Sequence, residues 1–349
     1  MKISQIEFKN KLPSPKEFGP AKLLIYDSFF NQPQEELKPV QDWLNKFQYK
    51  ISFDSGEKLK DLHQFPEKLE QILSLVSQMA VKNVQIIGLG GGSLGDFAGF
   101  VASILKRGLP LIHIPTTWLS AMDSAHGGKS ALNVGGYKNQ IGSFYPADKV
   151  ILIKPILFLQ PEARVHEAYG EAIKMAFLTG KNLWQKLSKA EKFDNELAWK
   201  LLPELIKGKY SIVKKDPYEK KGIRHLLNLG HTFGHVWEAS QNVAHGTAVA
   251  YGIRAALELS FKMKIMSFSD YKKINALPLT ALLPSYSELC SMAAKTTNTE
   301  DYLLRDKKIS KQKSLRFIFI QRPGRCPIGE MSIEKLLKFH SELQRDHKS

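Results

Sequence analysis

Val84-Gln-Ile-Ile-Gly-Leu-Gly-Gly-Gly-Ser-Leu-Gly-Asp96 decides the fold class. Its first residues form a short apolar run with the length and composition of a buried strand. Glycines follow at once, and from Leu94 to Leu105 the apolar residues recur at helical spacing. Gly90, Gly92 and Gly95 satisfy G-x-G-x-x-G. Such glycines let the backbone approach a pyrophosphate, whose charge then rests on the helix N-terminus. An ordinary unit of this kind places an acidic residue about twenty positions further on. Here that region is Leu111-Ile-His-Ile-Pro-Thr-Thr117, with no acid. The stretch is either a nucleotide site of unusual kind or a plain glycine turn, and its strand–helix setting favours the first.

The same alternation extends to both sides. Leu23–Tyr26, Leu111–Pro115 and Val150–Ile153 read as strands. Pro66–Met79 reads as a helix with Leu69, Ile72, Leu73 and Val76 on one face. Strands alternating with helices predict a parallel sheet joined by crossover helices. After about Leu159 the character changes. Amphipathic stretches at Arg164–Thr179, Glu196–Lys214, His231–Ser240 and His245–Lys264 dominate, and only Leu315–Ile320 reads as a strand. The expected fold is α/β: a parallel-sheet nucleotide-binding domain over residues 1–158, then a mainly α-helical metal-binding domain over 159–349.

Between the strands Leu111–Pro115 and Val150–Ile153 lie Pro115–Ser130 and Tyr137–Phe144. Asp123, Lys129, Lys138 and Asn139 sit there among glycines and small residues, as in loops that bring charge close to a ligand. Further on, Asn228-Leu-Gly-His-Thr-Phe-Gly-His235 and His245-Gly246 gather three of ten histidines. On a helix His231 and His235 share one face. Imidazoles grouped this way serve a metal or acid–base chemistry, or simply bond to one another. A catalytic zinc with a His2Glu set would also need a carboxylate from elsewhere. Glu171-Ala-Ile-Lys174, in a helix of small and apolar residues, offers one; a surface ion pair is the other reading of that spacing. The pattern is not His-Glu-x-x-His, which argues against a zinc protease.

The chain has 349 residues with 43% hydrophobic content, which suits a globular protein of two domains. The N-terminus lacks a secretory pattern and no apolar run reaches the ~18 residues of a membrane span. Two distant cysteines, Cys290 and Cys326, fit a reducing, cytoplasmic setting. The net charge of +16 invites a nucleic-acid partner. No nucleic-acid motif accompanies it, and a phosphorylated or carboxylated small substrate needs cations too. Neither nucleic acid nor membrane is expected as a partner.

Taken in order, these motifs resemble the 3-dehydroquinate synthase family. The resemblance runs from about residue 50 to 325. It rests on Ser55–Lys60, Gly90–Gly99, Lys106–Gly108, Pro115–Thr117, Asp123–Lys129, Lys138-Asn139, Glu171–Lys174, Arg224–His235, His245-Gly246 and Arg305–Lys308. It implies a metal, zinc or cobalt, on Glu171, His231 and His245, with His235 facing substrate phosphate instead. It implies NAD at Asp27, Glu57, Lys60, Gly91, Gly92, Ser93, Gly95, Asp96, Thr116, Thr117, Asp123, Lys129 and Lys138. Catalytic or substrate roles fall to Lys129, Lys174, Lys209, Arg224, Asn228 and His235, with Asn139, Lys307 and Lys308 in the cradle. Arg107 corresponds to an arginine sent into a neighbouring subunit, which implies a homodimer.

The implied reaction turns 3-deoxy-D-arabino-heptulosonate 7-phosphate into 3-dehydroquinate and phosphate, in the shikimate pathway of aromatic amino-acid biosynthesis. It proceeds by transient oxidation at C5, elimination of phosphate, re-reduction, ring opening and aldol closure, with NAD returned unchanged. Some positions depart from the family pattern. Leu159 and Arg164 stand where a Thr and a Glu are usual, Lys154 where an Asp is, and Glu167-Ala168 where Ser-Gly is. These departures bear on NAD more than on zinc. The competing readings are another sugar-phosphate cyclase and a metal-dependent polyol or glycerol-phosphate dehydrogenase.

Overall fold

The computed structural model describes residues 2–79, 84–278, 283–304 and 314–347. The chain divides into two compact units, Met1–Arg164 and Val165–Ser349.

The first unit is built on a six-stranded parallel sheet in the order β1-β8-β5-β4-β2-β3. Its strands are β1 (Gln5–Lys9), β2 (Lys22–Asp27), β3 (Lys50–Phe53), β4 (Gln85–Gly90), β5 (Leu111–Pro115) and β8 (Lys149–Ile153). All five of its ladders are parallel. Side chains alternate between the faces, as pleating dictates. Leu24, Tyr26, Ile87, Leu89, Ile112, Ile114, Ile151 and Ile153 pack with Phe18, Trp43 and Phe47 in one core. Trp43 lies on α1 (Lys38–Leu44). Burial of each such side chain contributes roughly 1.5–3 kcal/mol.

Helix α2 (Phe65–Gln78) buries Phe65, Ile72 and Val76. Leu73, expected on that face, is 44% exposed. The stripe follows the 3.6-residue period through Ile72 and Val76, which turns Leu73 outward. Helix α3 (Gly92–Ile104) follows the glycine turn as expected, two residues earlier than its apolar periodicity begins.

Of the segments read as cationic loops, Tyr137–Phe144 instead forms a strand, β7, paired in a hairpin with β6 (Lys129–Val134), which takes the last two residues of the other. Gly135 and Gly136, at φ +57° and +79°, make its two-residue turn. A Gly-Gly pair suits the mirror-image turn that tight hairpins need. That pair was the readable signal. It was obscured because β7 is exposed along nearly its whole length and shows no apolar alternation. Strands β1 and β3, also unread, are short edge strands with polar residues.

The second unit is mainly helical. Its principal helices are α5 (Glu162–Thr179, three residues of which precede the division), α7 (Asn195–Val213), α8 (His231–Gln241) and α9 (His245–Lys262). The short helix α4 (Lys154–Leu157) precedes them and α6 (Lys181–Leu187) lies between α5 and α7. Strand β9 (Ser314–Ile318) pairs antiparallel with β10 (Ile328–Ser332), which was not expected. Ile328-Gly-Glu-Met-Ser332 has no strand pattern of its own; pairing with β9 makes it one. No helix among the described residues is long and apolar enough to cross a membrane.

Candidate active site

In the first unit the strand order reverses between β2 and β4. The chain leaves β2 toward β3 on one side and leaves β4 toward β5 on the other. The carboxyl ends at such a reversal are where open parallel sheets bind ligands. Tyr26 pairs with Leu89, so Asp27 and the Gly90 turn end side by side. An acid thus stands beside the glycine turn at the end of β2, although none follows β5. Asp27 accepts from the Phe29 N–H at 3.0 Å and from Ser55 Oγ at 2.5 Å. Gly91 caps α3 without a side-chain bond, which leaves first-turn N–H groups available to an anion. Ser93 Oγ accepts from the Gly56 N–H at 3.0 Å, and Thr116 N–H donates to Gly90 O at 3.0 Å. Thr117 Oγ1 accepts from Ser120 N–H at 3.2 Å. Asp123 lies in the Ser120–Ser124 turn, and Lys129, Lys138 and Asn139 lie on the hairpin. Glu57 and Lys60 share the 3-10 turn Glu57–Lys60.

In the second unit three helices converge on one point. A Cβ on Gly246 would stand 1.4 Å from Glu167 O, so α9 and α5 touch backbone to backbone. That contact sets His245, the first residue of α9, beside Glu171. A Cβ on Gly252 would stand 1.7 Å from Gly230 O, which brings in the start of α8 and His231. One ligand atom from each of Glu171, His231 and His245 lies within 4.8 Å of the others. Both Nε2 atoms are 3.6 Å from Glu171 Oε1, too far for a hydrogen bond and suited to sharing a cation.

The rings are aimed from behind. His245 Nδ1 is 2.8 Å from Glu238 Oε2, and His231 Nδ1 is 3.2 Å from Leu229 O. A ring whose Nδ1–H is held in this way presents its Nε2 lone pair forward, the usual support of a metal-bound imidazole. Burial, with Lys174 and the other two histidines nearby, holds the His231 ring well below its usual pKa and therefore neutral. For His245 burial again disfavours the charged ring, but the bond to Glu238 and the closeness of the Glu171 carboxylate prevail and raise it to about 10. Glu171 is 2% exposed, and neither of its oxygens accepts a well-formed hydrogen bond although the Lys174 ammonium touches Oε2. A buried carboxylate left this way is costly, and a divalent cation fits it.

The Glu171–Lys174 pair is thus not on the surface, as one reading of its spacing had it; Lys174 is 1% exposed. His235 lies outside the trio, with its ring 5.3 Å from that of His231 and nearly perpendicular to it. Lys209 on α7 and Arg224 in the turn Arg224–Asn228 are also buried. Arg224 Nη1 donates to Pro217 O at 2.9 Å, and Asn228 Nδ2 meets His225 Nδ1 at 3.1 Å. Burying such cations is costly unless they are paired. Arg107 and Arg164 are exposed, Leu159 is half-buried, and the Lys154 ammonium sits 4.6 Å from the Phe158 ring centre. Lys307 and Lys308 lie outside the described residues.

Two supporting residues escaped the sequence reading. Glu238 carries no motif of its own and is recognisable only by its distance from His245. Asp216 is 1% exposed and accepts from the N–H groups of Lys221 at 3.0 Å and Arg224 at 3.2 Å. Burial alone would raise its carboxyl, but these backbone donors hold it below the usual range. It shapes the loop that presents Arg224.

Comparison with known proteins adds the following. Residues 50–167 match a family model described as 3-dehydroquinate synthase N-terminal, and residues 168–309 one described as 3-dehydroquinate synthase C-terminal. A 3-dehydroquinate synthase of Dehalococcoides mccartyi is 35% identical over 262 residues, covering 73% of this chain and 71% of that protein. A bifunctional shikimate kinase/3-dehydroquinate synthase of Thermotoga maritima is 32% identical over 294 residues, covering 83% of this chain. The chain spans 57% of that longer protein. Among solved structures, a 2-deoxy-scyllo-inosose synthase complexed with carbaglucose-6-phosphate, NAD+ and Co2+ superposes with a TM-score of 0.77 at 24% identity, covering 97% of this chain and 96% of its own. That likeness is one of fold.

Proposed function

The chain belongs to the 3-dehydroquinate synthase family, and we propose that it converts 3-deoxy-D-arabino-heptulosonate 7-phosphate to 3-dehydroquinate and phosphate. The observation that carries this reading is the Glu171–His231–His245 cluster with both rings oriented from behind. When bound, a divalent cation, zinc or cobalt, would supply Lewis acidity there, and NAD at the glycine turn a hydride acceptor regenerated in each cycle.

The protein's own groups do the rest. Glu171, His231 and His245 would hold the cation, with Glu238 and Leu229 O fixing the rings. Asp27, Glu57, Asp96, Thr116, Thr117, Asp123, Lys138 and the Gly91–Gly95 turn would hold the dinucleotide. Lys174, Lys209 and Arg224 bring positive charge to a substrate that carries a carboxylate and a phosphate, and Asn228 and His235 supply hydrogen bonds. In a site closed to water such charges act strongly on developing anions. The departing phosphate can itself accept the C6 proton, so no dedicated base is required. The net change is loss of phosphate without net oxidation, which makes the enzyme a carbon–oxygen lyase. The exposed Arg107 at the end of the Leu105–Arg107 turn would serve a second copy, so the working form is proposed as a cytoplasmic homodimer. The exposed Arg164 makes a comparison of NAD+ with NADP+ worthwhile.

The test is incubation of the purified protein with the heptulosonate phosphate, NAD+ and zinc or cobalt. Phosphate and dehydroquinate are expected in equal amounts with no net NADH. Absence of turnover would sink the proposal. Accumulation of NADH without phosphate release would move the protein to the polyol dehydrogenases.

A further inference from the structure

One buried cation joins the nucleotide turn to the exposed hairpin. Lys60 is 2% exposed, and its ammonium donates to Asp96 Oδ2 at 2.7 Å and to Asn139 Oδ1 at 2.5 Å. Asp96 is in the second turn of α3, just after the glycines, while Asn139 lies on β7 in left-handed backbone, φ +56°. The Asn139 N–H donates to Asn133 Oδ1 at 2.8 Å. Asn133 Nδ2 in turn donates to Glu57 Oε2 at 2.7 Å and to Glu57 O at 3.3 Å. The turn Glu57–Lys60 therefore fastens both α3 and the tip of a strand that is exposed along nearly all its length.

The bond to Lys60 also settles which way the Asn139 amide faces. An ammonium has no acceptor, so it must face the amide oxygen. The Asn139 NH2 is then turned away, and it makes no hydrogen bond among the described residues. Two donors are left for an oxygen-rich ligand.

We propose that Lys60 is a positioning residue: by binding Asn139 Oδ1 and Asp96 together, it presents the Asn139 NH2 to a substrate hydroxyl, carboxylate or phosphate oxygen. This differs from a role confined to the dinucleotide, since two of the three ammonium protons are already committed within the protein. The assignment of substrate rests on the function proposed above; the clamp itself does not.

The test compares Lys60→Met, Asn139→Ala and the double variant, with NADH affinity measured separately by fluorescence. Each single change is expected to lower kcat/KM for the heptulosonate phosphate about tenfold, chiefly through KM, the scale of one lost hydrogen bond. The double variant is expected to be no worse than Asn139→Ala alone, because both changes remove one interaction. NADH affinity should stay within about threefold, and Lys60→Arg, which keeps a donor, should recover part of the loss. Losses that multiply in the double variant, or a Lys60→Met defect borne wholly by NADH affinity, would overturn the proposal. Hydrogen exchange judges the clamp without turnover. In Lys60→Met and Asn139→Ala, residues 137–144 should exchange faster while β4 stays protected; unchanged exchange there refutes the clamp. A wild-type protein that shows the clamp but no turnover would refute only the substrate.

Discussion

At the residue scale, one carboxylate and two rings must be told apart from their neighbours. Glu171 is the only buried carboxylate in the trio, and Glu171→Ala should remove bound zinc or cobalt altogether, as measured by metal analysis after dialysis. His235 is one helical turn from His231 but outside the trio. His235→Asn should lower turnover at least tenfold with metal content unchanged, the mark of a group acting on substrate alone. Glu238 lies outside the trio and bonds to His245 Nδ1 at 2.8 Å. Glu238→Gln should weaken metal affinity about 10- to 100-fold, read by chelator competition, since supporting partners of metal-bound imidazoles have effects of that size. Retained affinity would mean that the ring needs no such support.

Elements matter through how closely they approach. Helices α5 and α9 meet without side chains between them, and a methyl on Gly246 would overlap Glu167 O. Gly246→Ala must push α9 outward and carry His245 away from Glu171. The expected result is a fall in stability of about 2 kcal/mol or more, seen by denaturant unfolding, together with loss of metal. An unchanged metal content would show that α9 can shift while keeping its ligand. Part of this was legible. Gly170-Glu171, Gly230-His231 and His245-Gly246 put a glycine beside every member of the trio, but nothing local says that Gly170 faces Gly246 or that Gly230 packs on α9 at Gly252. The strand–turn–helix at 84–105 was readable because its signals lie within one short window. The β6–β7 hairpin was not, because its exposed strand lacks the alternation by which strands are recognised.

For the whole molecule, the buried histidines couple stability to pH. His340, on the C-terminal helix Ile333–Asp346, is 3% exposed, and burial lowers its pKa from 6.5 to about 4. The folded protein thus keeps this ring neutral, whereas the unfolded chain protonates it near 6.5. Its contribution is complete above pH 6.5 and is lost as pH falls from there toward 4, about 3 kcal/mol in all. Thermal midpoints measured between pH 7 and 4 should fall, and His340→Gln should flatten that fall. An equal slope in the variant would place the acid sensitivity elsewhere, with His113 the next group, since burial lowers it to about 4 as well.

The sequence by itself determined the α/β class, the family, and which residue types stand at which points along the chain, because each of these is written in short contiguous motifs. It could not say that Lys60, Lys174, Lys209 and Arg224 are buried, nor that the acid beside the glycine turn comes from β2. It could not say that Glu238 stands behind His245. Those are distances between residues far apart in the chain. Only the packing of α5, α8 and α9 at their glycines, and the strand order that sets Asp27 beside Gly90, brings such groups within reach of one another.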